Sequence, residues 1–339
     1  MEQTLCVDIG GTRVRVALVS SDGVVAVRRT MPTMAETGPD AVVSRIADLM
    51  RDVLRAAAPE SVAGIGVGVP GPLDPWRGII YDPPNLPGWH AMHLRDMWSE
   101  AFGLPVYLGN DANLAGLGEH RFGAGRGVRD MVYLTVSTGV GGGIISGGRL
   151  FLGGSGLAGE VGHTSVEARG PRCNCGNVGC LEMLASGPAV ARRGAAAARR
   201  GASRGILEAA CGSQVTAEIV VRAARDGDTV ARGIIERAGF YIGVGVVNLA
   251  HLLNPSLIVI GGGVAIGAGD MLLDAVRYTV QSRCMPAFLP LPVVPAALGD
   301  DAGLLGAAAL VWGTSPDGGV PPAPPAESPQ FSRPNPETA

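Results

Sequence analysis

Four side chains able to bind a soft metal fall between positions 163 and 180: His163, Cys173, Cys175 and Cys180. One imidazole and three thiolates make a complete tetrahedral ligand set for zinc, and a set with four protein ligands leaves no place for water, so such a site is structural. Cys173 and Cys175 flank a single asparagine, and Gly176 and Gly179 precede Cys180, so a tight loop can turn all three sulfurs inward. Glu160 and Glu182 flank the set, and a metal that fixes the loop fixes these carboxylates too. The competing readings are a disulfide or free thiols. Met1-Glu2-Gln3 opens the chain without a secretory signal, so a reducing cytoplasm is expected, where clustered cysteines read as metal ligands. Cys6, Cys211 and Cys284 stand among apolar neighbours and read as buried packing residues.

A second group, Asn110, Asp111 and Asn113, follows the short apolar run Val106-Tyr107-Leu108 and precedes a helical pattern. Helix capping needs only one such side chain, and the end of a strand is also where doubly wound sheets bind ligands. An unperturbed aspartate, with a pKa of about 3.9, is ionised at neutral pH and can accept a proton. Two glycine hairpins complete the chemistry. Asp8, Gly10, Gly11 and Thr12 follow one apolar strand; Ser137, Thr138 and Gly139 follow another. Glycines let backbone N–H groups approach phosphate oxygens, and the hydroxyls add donors. An ordinary β-hairpin has the same pattern, but two such devices facing each other across a cleft can hold a polyphosphate from both sides.

The elements that must position these groups follow from periodicity. Strands are expected at 5–9, 13–19, 24–27, 61–69, 106–108, 131–136, 140–145, 257–260 and 293–298. Helices are expected at 40–58, 187–200, 216–224, 229–253 and 269–283, with a last one from about 301. Leu257-Ile258-Val259-Ile260 enters a third glycine loop at Gly261, Gly262 and Gly263.

With 339 residues and 47% hydrophobic content, the chain can bury a large core and is expected to form two domains. Net charge is −3 with no basic stripe, which argues against nucleic acid as the main partner. The longest apolar stretches are broken by Gly, Asn or Pro, so no membrane span is expected. Residues 315–339 are rich in Pro, Gly and Ser with almost no large apolar side chains, and are expected to be disordered.

His163 with the Cys-x-Cys-Gly-x-x-Gly-Cys-Leu-Glu run at 173–182 resembles the zinc signature of the ROK family of bacterial sugar kinases and sugar-responsive repressors. Asn110-Asp111-Ala112-Asn113 is similar to that family's Asn-Asp-Ala-Asn motif, in which the Asp is the base. The strand–Gly-Gly–strand at 5–19 resembles the first phosphate loop of the actin, hexokinase and heat-shock ATPase superfold. The 131–145 stretch resembles the second phosphate loop of ROK kinases, where many members carry Gly-Thr-Gly in place of Ser137-Thr138-Gly139. Gly262 and Gly263 resemble the superfold's adenosine-contacting loop. The similarity runs over about residues 4–313.

The resemblance implies an α/β, two-domain actin/hexokinase-like (ribonuclease H-like) ATPase fold with an inter-domain cleft and a zinc-bound loop at 159–182. The smaller domain would be 1–113 with 302–314, and the larger 114–301. It implies ATP-dependent phosphorylation of a hexose 6-hydroxyl, glucose first, with Asp111 as base; N-acetylmannosamine, N-acetylglucosamine and fructose are the alternatives. ATP would lie on Gly10, Gly11, Thr12, Ser137, Thr138, Gly139, Gly262 and Gly263, with Asp8 holding a Mg²⁺-bound water and Zn²⁺ structural. The family's sugar contacts carry over to Glu160, His163 and Glu182, joined by Asn110 and Asp111. Asn85, in the proline-rich loop 81–89, offers a donor and an acceptor to a sugar hydroxyl, or simply forms an Asx-turn. The resemblance further implies a homo-oligomer, dimer or tetramer. Repressors of the family carry an added N-terminal winged helix-turn-helix, for which the strand at Leu5 leaves no room; polyphosphate-using relatives typically lack the cysteine cluster, which favours ATP. A catalytically dead sensor is disfavoured because Asp8, Asp111 and both phosphate loops are intact.

Overall fold

Hairpin and crossover alternate along the chain, and they build two separate sheets. A computed structural model describes residues 2–56 and 62–313. The chain enters with β1 (Gln3–Ile9), β2 (Arg13–Ser20), β3 (Val25–Pro32), α1 (Pro39–Leu54) and β4 (Val62–Val69). A small ribbon of β5 (Leu73–Asp74) and β6 (Ile79–Ile80), then α2 (Leu94–Phe102), lead to β7 (Val106–Asn110). The first sheet has the order β3-β2-β1-β4-β7, antiparallel through the β1–β2–β3 meander and parallel from β1 to β4 to β7. In register, Asp8 lies beside Gly68 of β4, and Gly68 beside Gly109 of β7.

From β7 the chain passes directly into α3 (Asp111–Phe122) and on to β8 (Met131–Val136), β9 (Val140–Ser146) and β10 (Arg149–Leu150). After a long loop come α4 (Leu181–Ala185), α5 (Gly187–Arg199), α6 (Arg204–Ala210), α7 (Ala217–Arg225) and α8 (Thr229–Leu253). The chain closes with β11 (Leu257–Gly261), α9 (Gly263–Ala268), α10 (Asp270–Arg283), β12 (Val293–Pro295) and α11 (Ala302–Gly313). The second sheet has the order β10-β9-β8-β11-β12 and repeats the pattern of the first: an antiparallel hairpin beside parallel strands.

Burial explains the layers. One face of the first sheet packs Leu5, Val7 and Ile9 against α1 through Val42, Ile46 and Met50, with Trp89 and Trp98 behind. The second sheet packs Leu134 and Ile260 against α8 and α10. Between the sheets lie α3 and α11. Leu114 of α3 joins the layer under the first sheet with Leu304, Ala307 and Ala308, whereas Ala115 joins that of the second with Tyr133 and Val259. The two helices interlock so closely that a Cβ on Gly306 would lie 1.8 Å from the Leu114 carbonyl oxygen. The chain thus crosses between sheets twice, once through α3 and once through residues 296–301 into α11.

Several expectations need correction. Cys211 is exposed, in the left-handed region at the C-terminus of α6, with its thiol donating to the Glu208 carbonyl; it is not a core residue. Gly262 is followed by a helix rather than a loop, and β12 stops at Pro295. Helix α8 is long and apolar enough to span a membrane by composition, yet 67% of its apolar window is buried in the second core. The 315–339 tail lies outside the described residues.

Candidate active site

Where β7 becomes α3, the backbone turns through Asn110, whose side-chain oxygen accepts the N–H groups of Ala112 at 3.0 Å and Asn113 at 3.2 Å. This is an N-cap, and it leaves the Asn110 side-chain amide nitrogen free to face Gly71, 3.2 Å from where a Cβ there would lie. Asp111 is the first helical residue, and its Oδ1 takes the Ala112 N–H at 2.8 Å. Its side chain is open to solvent at the start of the helix, although much of the protein lies close around it. That burial pushes the Asp111 carboxyl up to about 6, and the neighbouring charges of Asp8 and Glu160 add to the rise. Three carboxylates from three parts of the chain therefore converge on one cleft.

The first glycine hairpin closes through Gly10 N–H to the Arg13 carbonyl at 2.9 Å, and Thr33 holds it from behind by bonds to the Gly10 and Thr12 carbonyls. A Cβ on Gly11 would lie 2.7 Å from the Asn85 Cβ, so Asn85 stands against this hairpin. Asp8, at the end of β1, is held by Arg15: two guanidinium N–H groups converge on its Oδ2, one of them at 3.0 Å, and a third reaches the Asp300 carbonyl. The second hairpin closes through Ser137 N–H to the Gly139 carbonyl at 2.9 Å. Thr138 is the residue between them, and Gly263 lies 3.9 Å, measured from its would-be Cβ, from the Ser137 hydroxyl. Gly262, at φ 87, packs on the end of β8. This hairpin also meets α3: a Cβ on Gly141 would lie 2.7 Å from that of Ala112. Asp111 consequently sits where the second hairpin touches the helix and the first sheet ends.

The four metal-ligand candidates come together, their ligand atoms all within 4.8 Å of one another. Cys175 and Cys180 sulfurs are 3.7 Å apart, and His163 Nδ1 is 3.6 Å from the Cys173 sulfur. Around a tetrahedral zinc, with bonds of about 2.3 Å to sulfur and about 2.0–2.1 Å to nitrogen, those edges would be about 3.75 and about 3.55 Å. The cysteines are unpaired, and the spacing fits the ion. The outer face of the imidazole is turned to a carboxylate: His163 Nε2 is 3.9 Å from Glu160, whose carboxyl is pushed up mainly by burial. Glu182 takes a different post. Its Oε2 accepts the Val140 N–H at 3.0 Å, so it braces the second hairpin from the metal loop.

Three further residues shape the site, and two of them, Arg15 and Glu119, were not singled out by sequence. Arg15 orients Asp8. Asn113, 3% exposed, directs its amide nitrogen to the Ala158 carbonyl at 3.4 Å and its oxygen at Gly159, tying α3 to the segment that carries Glu160. Glu119, wholly buried, accepts only backbone N–H groups. Asn113 stood in a visible polar cluster; Arg15 and Glu119 carry no clear local signal, because the contacts that give them their posts, to Asp300 and to Ala297 and Leu298, lie far along the chain.

A family model described as the ROK family matches residues 4–313. The chain is 39% identical over 308 residues to the glucokinase of Thermotoga maritima, covering 90% of this chain and 96% of that one. It is 35% identical to an N-acetylmannosamine kinase of Shigella boydii, covering 91% and 98%. The crystal structure of a ROK family glucokinase from Streptomyces griseus in complex with glucose and AMPPNP superposes with a TM-score of 0.78 at 35% identity, covering 90% and 98%. Two hairpin-edged sheets around a cleft, a Cys₃His loop beside it and a match along nearly all the described residues agree: the fold is actin/hexokinase-like, and the chain belongs to the ROK family.

Proposed function

We propose that the protein is an ATP-dependent sugar kinase that phosphorylates the 6-hydroxyl of glucose. The observation that carries this reading is Asp111, a carboxyl raised to about 6 at the junction of both glycine hairpins and the Glu160–His163 pair. Above that pH it is ionised and can take the proton of a hydroxyl that attacks the γ-phosphoryl group. Phosphoryl transfer is loose, so the base chiefly orients the hydroxyl and accepts its proton late. Asn85 and Asn110 would hold the sugar from the first lobe, residues 1–113 with 302–314; Glu160 and His163 would hold it from the second, residues 114–301. Glu182 would join them through the carboxylate oxygen that does not brace the hairpin.

The backbone N–H groups of 10–12 and 137–139 would cradle the phosphates, with Gly262 and Gly263 under the adenosine. Asp8 offers a hard carboxylate oxygen of the kind Mg²⁺ takes alongside phosphates and water; when bound, Mg²⁺ neutralises developing phosphate charge and Zn²⁺ fixes the 159–182 loop. The glucokinase relative and the glucose–AMPPNP complex support glucose and ATP. A second reading, N-acetylmannosamine phosphorylation, is favoured by the 35% identical relative. A coupled assay with ATP across glucose, mannose, fructose, N-acetylmannosamine and N-acetylglucosamine tests both. The highest kcat/KM is expected on glucose; a higher value on an N-acetylated sugar replaces the first reading with the second, and no turnover on any of them removes both.

A further inference from the structure

Glu119 lies in the last turn of α3, the helix that begins at Asp111, and none of its side-chain surface is exposed. Its Oε2 accepts the N–H groups of Ala124 at 2.9 Å and Ala297 at 3.1 Å, and its Oε1 accepts that of Leu298 at 2.8 Å. Its own carbonyl takes two more, from Gly123 at 3.0 Å and Gly125 at 2.9 Å. Among the described residues no cation pairs with it. Ala124 lies on the first crossing between the sheets, after α3; Ala297 and Leu298 lie on the second, before α11. A single buried carboxylate thus fastens one crossing to the other.

Taking a carboxylate out of water is costly, and an apolar side chain would fill the same space without that cost. What the carboxylate provides instead is direction: two oxygens aimed at three named amides. We propose that Glu119 is a positioning residue for the reaction, the fixed point that holds α3, and Asp111 at its tip, in register with both glycine hairpins. This rests on the reading of Asp111 as base. The lever is short and stiff. Eight residues of helix span about 12 Å, so a tilt of about 5° at the clasp moves the Asp111 end by about 1 Å, a misplacement that can cost on the order of 10²-fold in rate.

The test compares full-length Glu119→Gln with Asp111→Asn. Glutamine keeps the size and loses one acceptor oxygen. The expected result for the folded Glu119→Gln protein is a kcat lower by about ten-fold or more, with KM for sugar and for ATP within about three-fold of wild type, since ground-state contacts are untouched. A folded Glu119→Gln protein whose melting temperature falls while kcat stays within about two-fold overturns the proposal, and leaves the Asp111 reading standing if Asp111→Asn is inactive. Turnover retained by Asp111→Asn overturns the reading itself. If Glu119→Gln does not fold, hydrogen exchange on the wild-type protein decides. The amides of 124, 297 and 298 should stay protected with and without glucose and AMPPNP; protection lost on adding them overturns the fixed point.

Discussion

Asp111 serves two demands at once. As the first residue of α3 it accepts a main-chain N–H, and as the proposed base it must be ionised in a cleft that disfavours charge. Burial and the Asp8 and Glu160 charges raise it to about 6. The sign for activity follows: below that pH the base is protonated, so kcat/KM should fall about ten-fold per pH unit on the acid side and level off above about 6.5. An acid limb near 4 would place the base elsewhere. Asp111→Asn should keep the N–H acceptor, and so the fold, while losing on the order of 10²–10⁴ in kcat. The same raised carboxyl opposes folding once ionised, because the unfolded chain holds it near 3.9. The native state binds more protons between about pH 4 and 6, so stability drops as pH rises through that window. Asp111→Asn should therefore melt higher than wild type at pH 7 and equal to it below about pH 4, read by calorimetry. At this scale the sequence is legible wherever one short stretch holds both partners. Asn110 caps residues two and three places on, and the Cys₃His set lies in one loop. Arg15 looks like one more outward residue of an alternating strand; its partners, Asp8 across the hairpin and the Asp300 carbonyl, appear only when the sheet and the second crossing meet.

The 159–182 loop is the element on which the proposed sugar and nucleotide sides meet. His163 stands between the metal set and Glu160, and Glu182, one residue into α4, reaches Val140 in the second hairpin. Cys175 is the exposed member of the set, so Cys175→Ala removes a ligand without opening the core. That substitution, or stripping the metal with a strong chelator, should raise KM for sugar several-fold and KM for ATP by less, because the hairpin keeps its own ladder to β8 while Glu160 has only the loop. Freshly purified protein without zinc by elemental analysis would end this account. Elements were legible in proportion to the regularity of their pattern. Helix α8 runs at the predicted 229–253 because apolar residues recur at helical spacing from the Asp228 cap to Asn254-Pro255. Helix α9 stayed hidden because glycines lower helix propensity and its fold is imposed by packing on β8 and β11. Helices α4 and α6 are too short for their periodicity to stand out, and α2, as long as α7, lacks the side-chain N-cap that Thr216 gives α7.

Two glycine hairpins of like design, one at each end of the sequence's first half, were enough to suggest two lobes around a cleft. The return of the last helix to the first lobe was implied by the resemblance, but the interlock of α3 and α11 was not legible, since they meet through glycines that a periodicity scan reads as breaks. That join constrains how the molecule can move. The α3–α11 contact is packed backbone to backbone, so it is expected to move as one body, with any change of cleft width coming from rotation of a sheet and its outer helices about it. The proposed ligands bridge the cleft: sugar between Asn85 and Asn110 on one side and Glu160 and His163 on the other, phosphates between the 10–12 and 137–139 hairpins. A ligand that contacts both lobes binds the narrowed cleft better and shifts the population towards it. Glucose with a non-hydrolysable ATP analogue should therefore lower the radius of gyration in small-angle scattering, more than either ligand alone. Because each ligand narrows the cleft for the other, glucose should also tighten binding of the analogue by the same factor as the analogue tightens glucose. Scattering profiles that superpose with and without both ligands, together with calorimetric affinities that ignore each other, would show that the two lobes do not close on the substrates.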